Sequence, residues 1–311
     1  MVTADQKEPL VSVVVITYNS SGYVLETLDS IKAQSYGNIE LIVTDDCSPD
    51  NTAEVCEKWI EQNKGRFVRA EFITVAKNTG ISGNCNRGLN AARGEWVKII
   101  AGDDLLEHDC IAGYMSFTRT DPSIRYVSCK ITVFSETERK HVPASSPDSF
   151  FQVSAKRQLR YLLAKGNFIV GASVFLHVAS TRELGGFDER FPMIDDYPLF
   201  IKICGAGYKF HLLDKPLVRY RVHEGNISLS GNELFSASSG KYYDQMIPRL
   251  LLQNRMFLQY WHAKIVILKK RFPKNQGTAN NLIRTGLSLL SPMYYYINLL
   301  KLLNIDYSQR I

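Results

Sequence analysis

The chain has 311 residues, 45% of them hydrophobic and 22% charged, an ordinary globular composition with room for one large core and an appendage. Its six cysteines are scattered with no CxxC pair, which argues against a zinc site or a disulfide framework; reduced, mostly buried thiols are expected. The net charge of +6 hides a division: from Lys241 onward 11 Lys and Arg stand against 2 Asp and Glu, leaving −3 for the first 240 residues, so the C-terminal part is expected to meet something anionic. No apolar run reaches the roughly 18 to 20 residues of a spanning helix. Asp5, Lys7 and Glu8 occupy the place of a leader's apolar stretch, and a cytoplasmic location is expected.

Val11 to Thr17 is an almost continuous β-branched run, the pattern of a strand buried on both faces of a parallel sheet. It stops at Tyr18-Asn19-Ser20-Ser21, after which Val24, Leu28 and Ile31 recur at helical spacing. A second strand, Ile39 to Thr44, ends in Asp45-Asp46-Cys47-Ser48-Pro49-Asp50-Asn51-Thr52; a helix with Val55, Trp59 and Ile60 follows, and Phe67 to Val75 is extended. After Asn78-Thr79-Gly80 the segment Asn84 to Arg93 reads as a helix closed by Gly94, feeding a strand over Glu95 to Ile100. That strand runs into Ala101-Gly102-Asp103-Asp104, adjacent acids favoured where a cation or solvent neutralises them, or else an Asp-rich turn capping a helix that begins near Glu107. Alternating strands and helices predict a doubly wound α/β sheet, with three polar strand ends converging where such sheets collect ligands.

These residues resemble the N-terminal half of family-2 glycosyltransferases of the GT-A fold. The resemblance is carried by Pro9 to Asn19, Gln34-Ser35-Tyr36, Glu40 to Thr52 and Asn78-Thr79-Gly80, and extends over about residues 9 to 230. It implies that the Thr17-Tyr18-Asn19 turn lies against a nucleotide base and that Asp45, beside Asp46, accepts a hydrogen bond from base or ribose. The alternative is an Asx-turn capping the helix after Thr52. Asn78, Gly80, Gly102 and Asp104 join the donor site on the same resemblance. Where the family carries Asp-x-Asp, this chain has Ala101-Gly102-Asp103, so the first acid is absent; Asp103 keeps the role of reaching a divalent ion, Mg²⁺ or Mn²⁺, that bridges the diphosphate.

Beyond Asp121-Pro122, Arg125 to Phe134 is strand-like and Ser135 to Ser149 is a polar loop suited to an acceptor lid; Gly171 to Leu176 resumes a buried strand. Leu184 to Phe191 leads into Asp195-Asp196 at a helix start, similar to the family's Gly-Gly-Phe-Asp-Glu and acidic pair. Asp196 is then expected to be the general base, with Asp195 second; the competing explanation is favourable placement of acids at a helix N-terminus. A last strand over Tyr208 to Leu213 precedes Val218 to Ser228, whose Tyr-Arg-x-His stretch is similar to the segment that closes the family's catalytic domain; that resemblance implies phosphate clamping by Arg221 and metal ligation or phosphate contact by His223, the alternative being a structural histidine in a polar loop.

From Lys241 the aromatic and leucine-rich helices with flanking Lys and Arg fit attachment to an anionic membrane surface, packing on the catalytic domain, or a second subunit. The expected architecture is a GT-A catalytic domain over residues 1–230 and a helical region over 231–311. The expected activity is inverting transfer of a sugar from a nucleotide-sugar, a UDP-sugar, to a saccharide or polyprenyl-linked acceptor in surface polysaccharide synthesis. Two alternatives stay open. A sugar-1-phosphate nucleotidyltransferase would want a basic Gly-rich loop after the first strand, which Thr17 to Gly22 lacks; a catalytically inactive binding subunit gains weight from Ala101. The absence of GxGxxG there argues against a dinucleotide dehydrogenase. Basic residues set among apolar helices favour lipid over nucleic acid.

Overall fold

The computed structural model describes residues 8–135, 139–140, 148–226, 233–272 and 278–302. Four parallel strands, β1 (Val11–Thr17), β2 (Ile39–Asp45), β3 (Arg69–Thr74) and β4 (Trp96–Ala101), alternate with helices α1 (Val24–Lys32), α2 (Thr52–Asn63) and α3 (Gly80–Ala91). Then follow β5 (Leu105–Leu106), α4 (Cys110–Thr118), β6 (Tyr126–Phe134), β7 (Arg139–Lys140), α5 (Asp148–Phe151) and α6 (Ala155–Lys165). Next come β8 (Val174–His177), α7 (Val178–Glu183), α8 (Asp196–Gly205) and β9 (Phe210–Arg221). Helices α9 (Glu233–Gln253), α10 (Phe257–Lys269), α11 (Thr278–Leu289) and α12 (Pro292–Leu302) end the described chain.

The sheet order is β3-β2-β1-β4-β8-β6-β9-β5, with β7 paired to β6. After β1 the chain builds outward through β2 and β3, then returns to lay β4 on the other side of β1. That reversal opens a crevice beyond the carboxyl ends of β1 and β4. Burial follows strand alternation: Val14, Ile42 and Val97 join the core beneath α3, α6, α8 and α9, while Val13, Val15, Leu41 and Ile100 join the core beneath α1, α2 and α4. Apolar residues on both faces are what the β-branched runs require.

Three expected segments differ in detail, the first being the strand expected from Gly171, which opens as a single 3-10 turn over Gly171–Ser173 and becomes β8 only at Val174. Strand β9 is one continuous element where Tyr208 to Leu213 and Val218 onward read as separate pieces; a register shift opposite Cys129 to Ile131 absorbs the interruption, and Pro216, which has no N–H to donate, sits there. Helix α3 begins at Gly80, four residues before the expected start. The expected polar lid over 135–149 and the boundary at 230/231 fall largely outside the described residues. Beyond that boundary α9 contributes Tyr242, Ile247 and Leu251 to the core that also holds Phe191 and Tyr197. Among the described residues no helix is long and apolar enough to cross a membrane.

Candidate active site

The three polar strand ends meet. Thr17 pairs with Asp45 across β1 and β2, Ile16 pairs with Ala101 across β1 and β4, the Asp46 N–H donates to Thr17 O at 3.0 Å, and the Gly102 N–H donates to Ile16 O at 3.0 Å. The β1 and β2 turns are held in the left-handed region at Asn19 (φ 54°) and Cys47 (φ 63°), and Ser48 Oγ accepts the Asn19 N–H at 3.0 Å. Non-glycine residues with positive φ cost energy that surrounding bonds must offset, and such residues gather at functional sites. Tyr18, beside them, is 46% exposed.

Asp45 is 1% exposed. Its carboxylate accepts from the Ser48 N–H at 2.8 Å, Ser48 Oγ at 2.5 Å and Thr17 Oγ1 at 2.9 Å. Since a carboxylate has about four acceptor positions, a single further donor can be met there. Asp46 turns the other way and caps α3 from more than thirty residues away. It takes the N–H groups of Thr79 (2.9 Å) and Gly80 (2.8 Å), Thr79 Oγ1 (2.6 Å) and the Arg87 guanidinium (3.0 Å). A carboxylate there satisfies orphan amides and complements the helix dipole. Gly80, at φ +82°, leaves no room for a Cβ, which would come within 2.6 Å of Pro192; Asn78 Oδ1 accepts the Gly80 N–H at 3.0 Å. Neither Asp45 nor Asp46 caps α2, whose first turn is bonded by Asp50 through Thr52 N–H at 3.1 Å.

At β4 the chain turns on Gly102, where a Cβ would crowd Thr17 Cγ2 at 3.0 Å. Asp103 and Asp104 then point to different surroundings. Asp104 is buried and accepts the Arg221 backbone N–H at 2.8 Å; loss of hydration, and then the neighbouring Asp103 charge, push its carboxyl well above the usual range. Asp103 keeps 23% of its side chain exposed, and its Oδ2 lies 3.0 Å from His223 Nε2. The His223 ring packs on Tyr23, and its Nδ1 accepts the Gly225 N–H at 3.1 Å, so Nε2 bears the proton that faces Asp103. Neither acid caps α4, whose N-cap is Asp109.

Asp103 and His223 test the fit of a divalent ion. Both are partly open, the Asp103 carboxylate offering a hard oxygen donor and the His223 imidazole a borderline nitrogen, and among the described residues no cluster of three or more His, Cys, Asp or Glu is poised for a metal. Two protein ligands suit Mg²⁺ or Mn²⁺ when phosphate and water complete the shell, and ligation by Nε2 would displace its proton.

Arg221 corrects the expectation of a phosphate clamp. It is 5% exposed, its Nε donates to Asp103 O at 2.8 Å, its Nη2 meets Glu26 at 2.8 Å, and its guanidinium lies between the Tyr23 and Phe134 rings at 4.9 and 4.6 Å. A guanidinium sandwiched by rings and committed to a carbonyl and a carboxylate anchors the Asp103-Asp104 turn instead.

Asp195 and Asp196 stand at the start of α8, tied to the strand ends through α3. The Ser82 N–H of α3 donates to Pro192 O and the Ser82 hydroxyl donates to Phe191 O, both at 3.0 Å, and the Cys85 thiol faces Asp195 Oδ2 at 3.9 Å. One residue earlier, Asn84 donates to Thr17 O at 3.2 Å. The fully buried Cys85 thiol, pushed well up by burial, feels the charges of Asp195, Asp196 and Asp46 together. Asp196 accepts the Tyr197 N–H at 2.6 Å and the Asn167 amide at 2.7 Å. Burial, and then the Asp195 charge, push its carboxyl up to about 7; Asp195 is raised as well, by burial.

Sequence reasoning missed Asn167, Asn84, Arg87 and Tyr23. Asn84 and Arg87, three apart on one face of α3, carried a readable spacing. Asn167 lies in a Gly-Asn turn outside every motif.

The model of glycosyl transferase family 2 matches residues 12–185. The chain is 26% identical over 266 residues to the putative teichuronic acid biosynthesis glycosyltransferase TuaG of Bacillus subtilis, covering 85% of this chain and 98% of that protein. It is 28% identical over 229 residues to protein y4gI of Sinorhizobium fredii, covering 72% of this chain but spanning only 24% of that protein's length. Its fold is similar to the crystal structure of S. aureus TarS 1–349 in complex with UDP-GlcNAc, with a TM-score of 0.59 and 19% identity over 92% of this chain and 86% of that one. With the family model spanning more than half of its length and the strand-end acids gathered as described, this chain belongs to glycosyl transferase family 2.

Proposed function

We infer that the chain transfers a sugar from a UDP-sugar to a saccharide or lipid-linked acceptor in bacterial surface polysaccharide synthesis, with inversion at the anomeric carbon. The observation that carries the reading is the acidic pair of α8, joined through α3 to the β1 and β2 ends, with Asp196 raised to about 7. A carboxylate of that proton affinity is poised to accept a hydroxyl proton near neutrality. The similarity to TuaG supports the polymer class, and the TarS complex supports the uridine nucleotide.

In this reading the base lies against Tyr18 and Asn19, with the last acceptor position of Asp45 available to an imide N–H. Asp103 and His223 would hold Mg²⁺ or Mn²⁺, which when bound offsets charge on the departing diphosphate. Arg221 and Asp104 hold the Asp103 turn still. Asp196 takes the acceptor proton as the hydroxyl attacks opposite the diphosphate, and Asn167 fixes the carboxylate's orientation. The apolar and basic C-terminal helices attach the enzyme to an anionic membrane surface.

The test is release of UDP from a panel of UDP-sugars by the purified chain, with Mn²⁺ and with EDTA. Turnover with Mn²⁺, lost with EDTA and reduced about 10²- to 10⁴-fold in Asp196→Asn while UDP still binds, is the expected result. UDP binding without turnover in the wild type would favour an inactive binding subunit.

A further inference from the structure

A pocket lies near Asp196, reached through Gly166 and Tyr243 of its lining, which neighbour and bond Asn167. It has a volume of about 290 Å³ and is walled by Leu163 of α6, Ile247 and Leu251 of α9, Ala263 of α10, and Met293 and Ile297 of α12. Gly166 and Tyr243 form its edge toward Asp196. The Tyr243 hydroxyl takes the Asn167 backbone N–H and feels the Asp196 charge, and the Asn167 side chain donates to Asp196 Oδ2 at 2.7 Å. The Tyr243–Asn167–Asp196 hydrogen bonds thus link the pocket to the acid pair.

The chemistry of the lining selects the occupant. A saccharide presents hydroxyls in every direction and needs matching donors and acceptors. This pocket offers chiefly aliphatic walls; of its few polar groups, His262 already meets Ser291 Oγ at 3.0 Å. Lys165, next to Gly166 in the lining, brings a cation to the pocket, with its Nζ 5.8 Å from the Tyr161 ring centroid. Around the pocket, Phe257, Leu258 and Trp261 of α10 and Tyr294 and Tyr295 of α12 are exposed, with Trp261 fastened by its indole N–H to Leu290 O at 3.0 Å. An apolar chamber with one cationic edge complements an amphiphile whose hydrocarbon chain ends in a phosphate.

We propose that this pocket holds the first part of the hydrocarbon chain of a polyprenyl-phosphate-linked acceptor, seating its saccharide end at Asp196. The inference rests on the reading of Asp196 as the acceptor-side base, and it adds where the carrier lipid lies: against α6, α9, α10 and α12 rather than along the donor crevice.

The experiment uses the full chain with farnesyl phosphate carrying a diazirine at its chain end, below micelle-forming concentrations, and maps photolabelled peptides by mass spectrometry. One equivalent of label on the pocket-lining residues Ile247, Leu251, Ala263, Met293 or Ile297, displaced by unlabelled farnesyl phosphate, is expected. Ala263→Trp, which fills the chamber, weakens farnesyl phosphate binding about tenfold, the loss expected when roughly two methylenes forgo burial, and leaves UDP affinity unchanged. Ala263→Leu, a milder filling, gives a smaller loss in the same direction should the Trp variant melt early. Label spread over exposed α10 and α12 residues, insensitive to both substitutions, overturns the proposal in favour of surface adsorption. A change from dimer to monomer on filling the chamber, with labelling intact, overturns it in favour of a subunit contact. UDP binding, measured in the same samples, separates the two readings: its loss defeats the donor assignment, whereas absent farnesyl phosphate binding with UDP bound defeats this one alone.

Discussion

Asp196 owes its proton affinity to burial beside Asp195, with the Asn167 amide and the Tyr197 N–H pulling the other way by favouring the charged form. The active form is the ionised one, so the rate of UDP release should fall below about pH 7, roughly tenfold per pH unit. Asn167→Leu removes a donor to the carboxylate and should move that acid limb to higher pH while changing the alkaline plateau much less; an unmoved limb would mean that another group titrates. The same shift has a stability consequence. Between the ordinary 3.8 and about 7 the folded chain holds more protons at this site than the unfolded chain, so its contribution to stability declines as pH rises through that window. Asp196→Asn should therefore raise the unfolding free energy at pH 8 by about 1 kcal/mol or more, read as a higher urea midpoint, given that one pKa unit is worth about 1.4 kcal/mol. At this scale the acids themselves were legible in the sequence. Their partners were not, because Asn167 reaches Asp196 from a turn that carries no pattern.

Two elements do most to assemble the site. Helix α3 bridges the nucleotide end and the acidic pair, yet GISGNCNRGLNA is poor in helix formers, and its first turn is capped by Asp46, far off in sequence. A local reading therefore starts the helix late. Strand β9 pairs Val218 and Arg219 with Leu106 and Leu105 of β5, and this pairing delivers Arg221 and His223 to the Asp103 turn. Arg221→Met should lower stability by about 2 kcal/mol through the lost charged hydrogen bonds, and raise the Mn²⁺ concentration needed for half-maximal turnover several-fold. A variant with normal stability and an unchanged Mn²⁺ requirement would show that the turn holds without the guanidinium. His223→Ala should leave the fold intact and affect the Mn²⁺ requirement more than UDP affinity.

Across the whole molecule, negative residues gather at the crevice while the C-terminal helices carry cations and exposed apolar side chains, Trp261 at 54% among them. Binding to vesicles containing anionic lipid should weaken at least tenfold between 50 and 500 mM salt, since each surface Lys or Arg contributes about 1 kcal/mol that screening removes. Replacing Phe257, Leu258 and Trp261 together by Ser should abolish it without changing UDP affinity; vesicle binding that survives both treatments would remove these helices from the membrane reading. Removing everything after Gly240 is a poor test, because Tyr242, Ile247 and Leu251 of α9 are built into the main core.

The sequence by itself determined the alternation of strands and helices, the two-sided burial of β1, and the acidic strand ends, because hydrophobic periodicity is a local property that neighbouring residues settle. The tertiary structure alone decided what each acid does: Asp46 turned onto α3, Asp104 buried under Arg221, Asp103 open beside His223, and Asp196 raised by burial. The direction and protonation of a charged side chain depend on which distant segments pack around it and how much water they remove, and no stretch of chain carries that information on its own.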